Sequence, residues 1–174
     1  MRVRVVGLGN VTYGDDGLGS CIAQFLSQSN DFVLDGNAHG IAILGDLSDY
    51  DVLVFIDADA DLKPGQVALA KLEGKLDLTN AMTLDAHRMS PSEAVGYLRA
   101  MGKEVEAWLI GIGVKSLEPF SRPSEEVLKS VPVAIQLLRE VLAKYGIDLK
   151  VEGDPVKSVE ECYSRALGEG SIET

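Results

Sequence analysis

Basic residues, histidine, cysteine and long apolar runs are all scarce in this 174-residue sequence. Its 16 lysines and arginines are outnumbered by 27 aspartates and glutamates, and the net charge of -11 argues against nucleic acid or an anionic membrane as a partner. No run of about 20 apolar residues is present that could cross a bilayer. Met1 and Arg2 lead directly into an apolar segment, without the pattern of a secretory signal. We therefore expect a cytoplasmic protein that prefers a cation or a basic peptide to an anionic partner.

Motifs that would name a common reaction are also missing. The sequence has no G-x-S-x-G elbow, no H-E-x-x-H helix, no Walker loop and no C-x-x-C pair. Its two cysteines, Cys21 and Cys162, are too few for a disulfide framework. Cys21 falls on the apolar face of a predicted helix, where cysteine behaves as a small hydrophobic residue. We expect both cysteines to be inert rather than catalytic.

Apolar segments typical of strands and of helices alternate along most of the chain. Strands are predicted from the β-branched and apolar content of residues 3–6, 31–35, 52–56 and 105–114, and an edge strand from the alternation over 66–72. Segments with the three- and four-residue spacing of amphipathic helices separate most of them. This order predicts a single-domain α/β fold, a three-layer α/β/α sandwich with a mostly parallel twisted sheet of the phosphorylase/hydrolase-like type.

Capping residues and prolines mark the limits of the later helices. Residues 90–93, Ser-Pro-Ser-Glu, have the pattern of a capped helix start. Pro132 either kinks the last predicted helix or marks its true beginning. The α/β domain is expected to cover residues 1–146. Residues 147–174 are expected to form a charged, loosely attached C-terminal tail, whose side chains available for packing on the domain are Val156, Val159 and Leu167.

The turn after the first predicted strand combines glycines with two adjacent aspartates. Gly7 and Gly9 begin a G-x-G pattern, but Thr12 stands where a dinucleotide fingerprint needs its third glycine. Asp15 and Asp16 would also repel a pyrophosphate and attract a cation. The pattern indicates either a site for a cation or a proton at the end of the first strand, or only a helix cap formed by one of the aspartates.

Another carboxylate, Asp57, follows the most hydrophobic predicted strand. Ligands of open parallel sheets bind in the crevice at the carboxyl ends of the strands, so Asp57 and Asp16 are candidates for the same crevice. A calcium loop beginning at Asp57 is rejected, because Leu62 stands where that loop needs glycine. An isolated aspartate at a strand end is otherwise an ordinary exposed residue.

Both histidines of the sequence, His39 and His87, lie in predicted loops. A single loop histidine is most often a polar surface residue. Two carboxylates and one imidazole from separate loops nevertheless make a plausible open site for a divalent transition metal, because imidazole suits nickel, zinc, iron or copper. This reasoning leaves open which metal would bind.

Short motifs keep a distinctive order over roughly residues 1–145. They are Gly7-Leu8-Gly9-Asn10, Asp15-Asp16-Gly17-Leu18-Gly19, Asp35-Gly36 with Gly40, Asp57-Ala58, His87 and Ser116-Leu117-Glu118-Pro119. In order and spacing they resemble the hydrogenase maturation proteases, a family that trims the C-terminal extension from the large subunit of nickel-iron hydrogenases. The resemblance implies an α/β sandwich, in agreement with the fold expected from the apolar pattern.

The same resemblance implies that Asp16, Asp57 and His87 are the catalytic and metal-binding residues of an endopeptidase. The metal would be nickel already inserted in the hydrogenase large-subunit precursor, so the substrate would carry it. The expected function is removal of the C-terminal extension from this nickel-loaded precursor. Either a nickel-polarised water or carbonyl or an aspartate acting as general base would break the bond.

Two other functions compete with this interpretation. A non-catalytic nickel-sensing or chaperone module would bind the precursor and release no truncated product. A nucleotide-binding α/β domain would use Gly7 and Gly9, which the neighbouring aspartates disfavour. Protection of the fold by a dinucleotide during thermal unfolding would favour that last possibility.

Overall fold

The strands of this protein form one mixed sheet in a computed structural model that describes residues 1–36, 43–74 and 90–168. The described strands are β1 (Val3–Gly7), β2 (Val33–Asp35), β3 (Val52–Asp59), β4 (Val67–Lys71) and β5 (Glu106–Gly113). Their order across the sheet is β2-β1-β3-β5-β4. All neighbours are parallel except β4, which pairs antiparallel with β5 at the edge. The mostly parallel sheet and its edge strand are confirmed.

Helices cover both faces of the sheet. In the described ranges they are α1 (Leu18–Ser27), α2 (Ile43–Leu47), α3 (Pro91–Ala100), α4 (Glu125–Leu128), α5 (Val131–Ala143) and α6 (Pro155–Ala166), with a 3₁₀ segment at Val11–Gly17. One core joins α1, α5 and α6 to Val54 and Ile56 of β3, and the other joins α2 and α3 to Leu53 and Phe55. Alternate side chains of one strand thus enter opposite cores, as a strand buried on both faces requires. The three-layer α/β/α sandwich is confirmed.

Two predicted helix starts are found in the structure. Ser90 precedes α3 and its hydroxyl accepts the N–H of Glu93 at 3.2 Å. Pro132 lies in the first turn of α5, after the short α4, so it marks a helix start and not a kink. None of the helices in the described ranges has the length and apolar character needed to cross a membrane.

The C-terminal region contains a helix that the sequence analysis did not predict, and Val159, one of the side chains predicted to be available for packing, is buried there. Within it, α6 begins after Asp154, whose side chain accepts the N–H groups of the next turn, and it packs against α1 with Val159 and Tyr163 fully buried. Val156, Val159 and Tyr163 do recur at three- and four-residue spacing, but the many charged residues around them obscured this pattern in the sequence. Cys162 of α6 also forms a disulfide with Cys21 of α1, which the description of Cys21 as a small hydrophobic residue did not predict.

Candidate functional site

The carboxyl ends of β1 and β3 meet the beginning of α1 at one edge of the sheet. Gly19 makes this close approach possible, because a Cβ there would lie 2.4 Å from the carbonyl oxygen of Ile56 and 2.5 Å from that of Leu8. Asp57 follows Ile56 directly, and Asp16 precedes Gly19 by one turn. The helix start therefore brings the two carboxylates predicted for one crevice to the same edge.

The carboxylate of Asp16 is oriented by the backbone of the turn that precedes it. Its Oδ2 atom accepts the N–H of Asn10 at 2.8 Å. Gly9 has a φ of 137°, and a Cβ at Gly9 would lie 1.8 Å from the carbonyl oxygen of Asp16. Glycine is therefore required where the turn folds back on the 3₁₀ segment. This contact fixes the Asp16 backbone against the end of β1.

Asp57 is partly buried at the end of β3. The pKa of its carboxyl group is raised to about 7, chiefly by burial and in smaller part by the negative charges of Asp16 and Asp59, while the hydrogen bond from the Ala58 N–H lowers it. That hydrogen bond is 2.8 Å long. A carboxyl group with such a pKa can accept or donate a proton near neutral pH, and its anion paired with that of Asp16 attracts a cation.

The third predicted site residue, His87, and the other histidine, His39, lie outside the described residues. Among residues 1–36, 43–74 and 90–168, no group of three or more His, Cys, Asp or Glu side chains is arranged to hold a metal ion. The structure thus brings Asp16 and Asp57 together, and the assignment of His87 to the site stays a prediction. Two carboxylates alone offer a cation part of a coordination shell.

Asp15 has a different role from its neighbour Asp16, and sequence reasoning missed it. Its carboxylate is 1% exposed and accepts four hydrogen bonds, from the N–H groups of Lys115, Ser116 and Ser124 and from the Ser124 hydroxyl. Gly17, with no side-chain cap, precedes α1, so the expected capping by Asp15 or Asp16 is wrong. Asp15 instead ties residues 115–124 to the turn that carries Asp16.

Tyr163 is a second residue that the sequence did not reveal. Its side chain is fully buried, and its hydroxyl donates to the carbonyl oxygen of Gly14 at 2.5 Å. Burial, together with the charges of Asp15 and Asp16, raises the pKa of this hydroxyl, which keeps it protonated as a donor. No spacing in the sequence signals the contact, because 149 positions separate the two residues.

Asp35, part of the motif at the end of β2, lies at the same edge of the sheet as the end of β1. Its backbone pairs with Gly7, and its carboxylate accepts the Ser20 hydroxyl at 2.8 Å and the Gln24 side-chain amide at 2.9 Å. Both donors belong to α1. These hydrogen bonds fix the position of α1 relative to the sheet and give Asp35 a structural role.

Comparison with known proteins gives one consistent family. Residues 20–141 match the family model described as hydrogenase maturation protease. The Escherichia coli hydrogenase 2 maturation protease is 27% identical over 156 residues, which cover 85% of this chain and 94% of that protein. The structure of the E. coli hydrogenase maturating endopeptidase HybD matches 85% of this chain and 96% of its own, with a TM-score of 0.68 and 27% identity.

An archaeal structure extends the comparison beyond bacteria. The NiFe hydrogenase maturation protease HybD from Thermococcus kodakarensis is 26% identical, with a TM-score of 0.64, and the match covers 81% of this chain and 99% of that one. The family match spans well over half of the sequence. The chain therefore belongs to the hydrogenase maturation protease family and is a peptidase.

Proposed function

We propose that this peptidase removes the C-terminal extension from the nickel-loaded precursor of a nickel-iron hydrogenase large subunit. The observation that carries the proposal is the pairing of Asp16 with Asp57 at one edge of the sheet, where the pKa of Asp57 is raised to about 7. The family match and the naming of the T. kodakarensis neighbour as a NiFe hydrogenase maturation protease support this substrate.

The charge of the site suits a substrate that brings its own cation. Three carboxylates lie close together here, those of Asp16, Asp57 and Asp59, and the whole chain carries a net charge of -11. A nickel ion held by the precursor would be attracted to these carboxylates and would lower the pKa of Asp57, which favours its anion. His87 is proposed as the nitrogen ligand that completes the set, since imidazole is a preferred ligand of nickel.

Hydrolysis then needs a base for the attacking water. The Asp57 anion can accept a proton from water as the water oxygen attacks the scissile carbonyl. The protonated Asp57 can then return that proton to the leaving amine. Alternatively, the nickel of the substrate polarises the water or the carbonyl, and the aspartates only hold the metal. Both routes need Asp16 and Asp57, so both predict the same loss on substitution.

The proposal is tested by incubating the protein with nickel-loaded and nickel-free precursor and measuring the mass of the large subunit. We expect a truncated product only with nickel, and a rate at least about 100-fold lower for Asp16→Asn and for Asp57→Asn. Asp61→Asn removes the same charge from an exposed neighbour and is expected to keep the wild-type rate. Circular dichroism would establish that each variant is folded.

Other results would contradict the proposal. Full processing by either the Asp16→Asn or the Asp57→Asn variant would show that the substituted aspartate, which both proposed routes require, is not needed for the reaction. Binding of the nickel-loaded precursor without any truncated product would instead identify a non-catalytic nickel-sensing or chaperone module.

A further inference from the structure

A tight turn between β5 and α4 holds an aromatic residue in an unfavourable backbone conformation. The carbonyl oxygen of Glu118 accepts the N–H of Ser121 at 3.3 Å, with Pro119 and Phe120 between them. Phe120 has a φ of 59°. A proline at the second position and a positive φ at the third position are typical of a type II turn. The third position of such a turn favours glycine.

Little of the Phe120 side chain is buried, so packing does not offset this unfavourable backbone conformation. It is 74% exposed, although its backbone N–H is anchored to the carbonyl oxygen of Thr12 at 2.7 Å. Two further apolar side chains belong to neighbouring backbone positions. Leu117, in the same loop, is 52% exposed, and Tyr13, which follows Thr12, is 39% exposed. We call Tyr13, Leu117 and Phe120 the rim patch. A strained, solvent-exposed aromatic residue points to a function outside the folded chain.

The rim patch borders the carboxylates of the site. The four hydrogen bonds accepted by the Asp15 carboxylate tie residues 115–124 to the turn, and the Asp15 N–H donates to the carbonyl oxygen of Ser116 at 2.9 Å. Asp16 is the next residue in the chain. A polypeptide bound across Asp16 and Asp57 therefore passes beside an apolar surface held by a rigid set of hydrogen bonds.

Charge around the patch restricts what would bind there. The ammonium group of Lys115 pairs with Glu126 at 2.9 Å, which offsets its positive charge. Asp16, Asp57 and Asp59 present carboxylates on the side of the site. The arrangement suits a segment with an apolar side chain against Phe120 and positive charge, either basic residues or a bound cation, towards the aspartates.

We propose that the rim patch is the docking surface for a polypeptide segment of the hydrogenase large-subunit precursor, with Phe120 as its apolar anchor. This inference rests on the proposed function, because it takes the precursor as the occupant. It adds a specificity determinant on residues 115–124, outside the aspartate pair. Burial of an exposed aromatic side chain on binding supplies affinity without taking part in bond cleavage.

The test compares Phe120→Gly and Leu117→Ser with wild type in cleavage of the nickel-loaded precursor and in calorimetric titration with the same precursor. For Phe120→Gly we expect the KM and the Kd to rise at least about tenfold, with kcat unchanged. The thermal midpoint is expected to stay at or above the wild-type value, since glycine relieves the positive φ. Leu117→Ser is expected to raise both constants less.

Met101→Ser is the matched control. Met101 is 63% exposed and follows α3 at the edge where β5 begins, opposite the site. The variant is expected to keep the wild-type KM and Kd.

An unchanged KM and Kd for Phe120→Gly would overturn the docking surface, and so would a rise of equal size for Met101→Ser. A shift of Phe120→Gly from dimer to monomer with unchanged precursor binding would overturn it as well, in favour of self-association. Wild-type protein that binds the precursor but does not cleave it would overturn the proposed function only. A tenfold weaker titration of Phe120→Gly would then still support the docking surface.

Discussion

Asp15 and Asp16 are chemically identical neighbours with opposite surroundings. The carboxylate of Asp15 is buried and accepts four hydrogen bonds, whereas that of Asp16 faces the end of β1 and contributes to the raised pKa of Asp57. A carboxylate supplied with backbone donors stabilises a loop, and one placed beside another acid changes its neighbour's proton affinity. The active-site role that we propose therefore belongs to Asp16, and Asp15 shapes the loop around it.

The raised pKa of Asp57 makes stability depend on pH in a defined direction. Its pKa is about 7 in the folded protein and about 3.9 in an unfolded chain, so the folded state binds the proton more tightly. The stabilisation of the folded state by this tighter proton binding is complete below the pKa that Asp57 has in the unfolded chain. It is lost as the pH rises through the pKa that Asp57 has in the folded protein. We expect Asp57→Asn to gain thermal stability over wild type as pH rises from about 4 to about 8, measured by calorimetry with a chelator present.

Asp51 provides a control of opposite sign. A hydrogen bond from the Arg2 backbone N–H, with a smaller contribution from Lys103, lowers the pKa of its carboxyl group. Its stabilisation is present above the unfolded pKa and is lost in acid, so Asp51→Asn is expected to lose stability at neutral pH and not in strong acid. A parallel pH response of the two variants would contradict the environment described for Asp57.

At the scale of elements, α6 supports the 3₁₀ segment that carries Asp16. Its N-terminal cap is Asp154, and its buried face contacts α1 and places the Tyr163 hydroxyl on the Gly14 carbonyl. A short 3₁₀ segment has few internal hydrogen bonds and depends on such outside contacts to keep one conformation. The C-terminal helix thus contributes to the geometry of the site although it contains none of the predicted site residues.

Tyr163→Phe removes only this hydroxyl and keeps the packed ring. We expect the free energy of unfolding to fall by about 1 kcal/mol, amide exchange in the peptide covering residues 11–17 to accelerate, and kcat to fall several-fold. Tyr145→Phe is the matched control, because that hydroxyl bonds Trp108 and Glu106 near the beginning of β5. Unchanged exchange at residues 11–17 in Tyr163→Phe would show that the hydrogen bond does not hold the segment.

At the scale of the whole molecule, the Cys21–Cys162 disulfide joins positions 141 residues apart and closes most of the 174-residue chain into one loop. Such a link stabilises mainly by restricting the unfolded chain. Cytosolic thiols are usually kept reduced, so this disulfide argues against the cytoplasmic location expected from the sequence. The oxidation state of the pair is therefore a measurable property of the protein.

We expect oxidised protein to show no free thiol in denaturant and to lose about 2–4 kcal/mol of stability on reduction. Thiol titration and denaturant unfolding with and without a dithiol reductant measure both. Cys162→Ser is the control, since reduction should not change its unfolding. Two titratable thiols in unreduced, denatured wild type would contradict the link.

Much of the fold could be predicted because its determinants are local. A continuous apolar run defines β3, periodic apolar residues define α1, and Pro132 and Ser90 mark helix starts. The pairing of Asp16 with Asp57 was also predictable, since parallel strands end at the same edge of a sheet. The place of His87 stays a prediction.

The sequence by itself determined the alternation of strands and helices and the edge at which the carboxylates gather, because both follow from short-range pattern and strand direction. Only the tertiary structure decided which aspartate is buried under hydrogen bonds, how Tyr163 reaches Gly14, that Cys21 meets Cys162, and that Phe120 is held out in a strained turn. The first three features depend on residues that are distant in the chain, and the last depends on one backbone angle. Neither kind of feature leaves a periodic signal in the sequence.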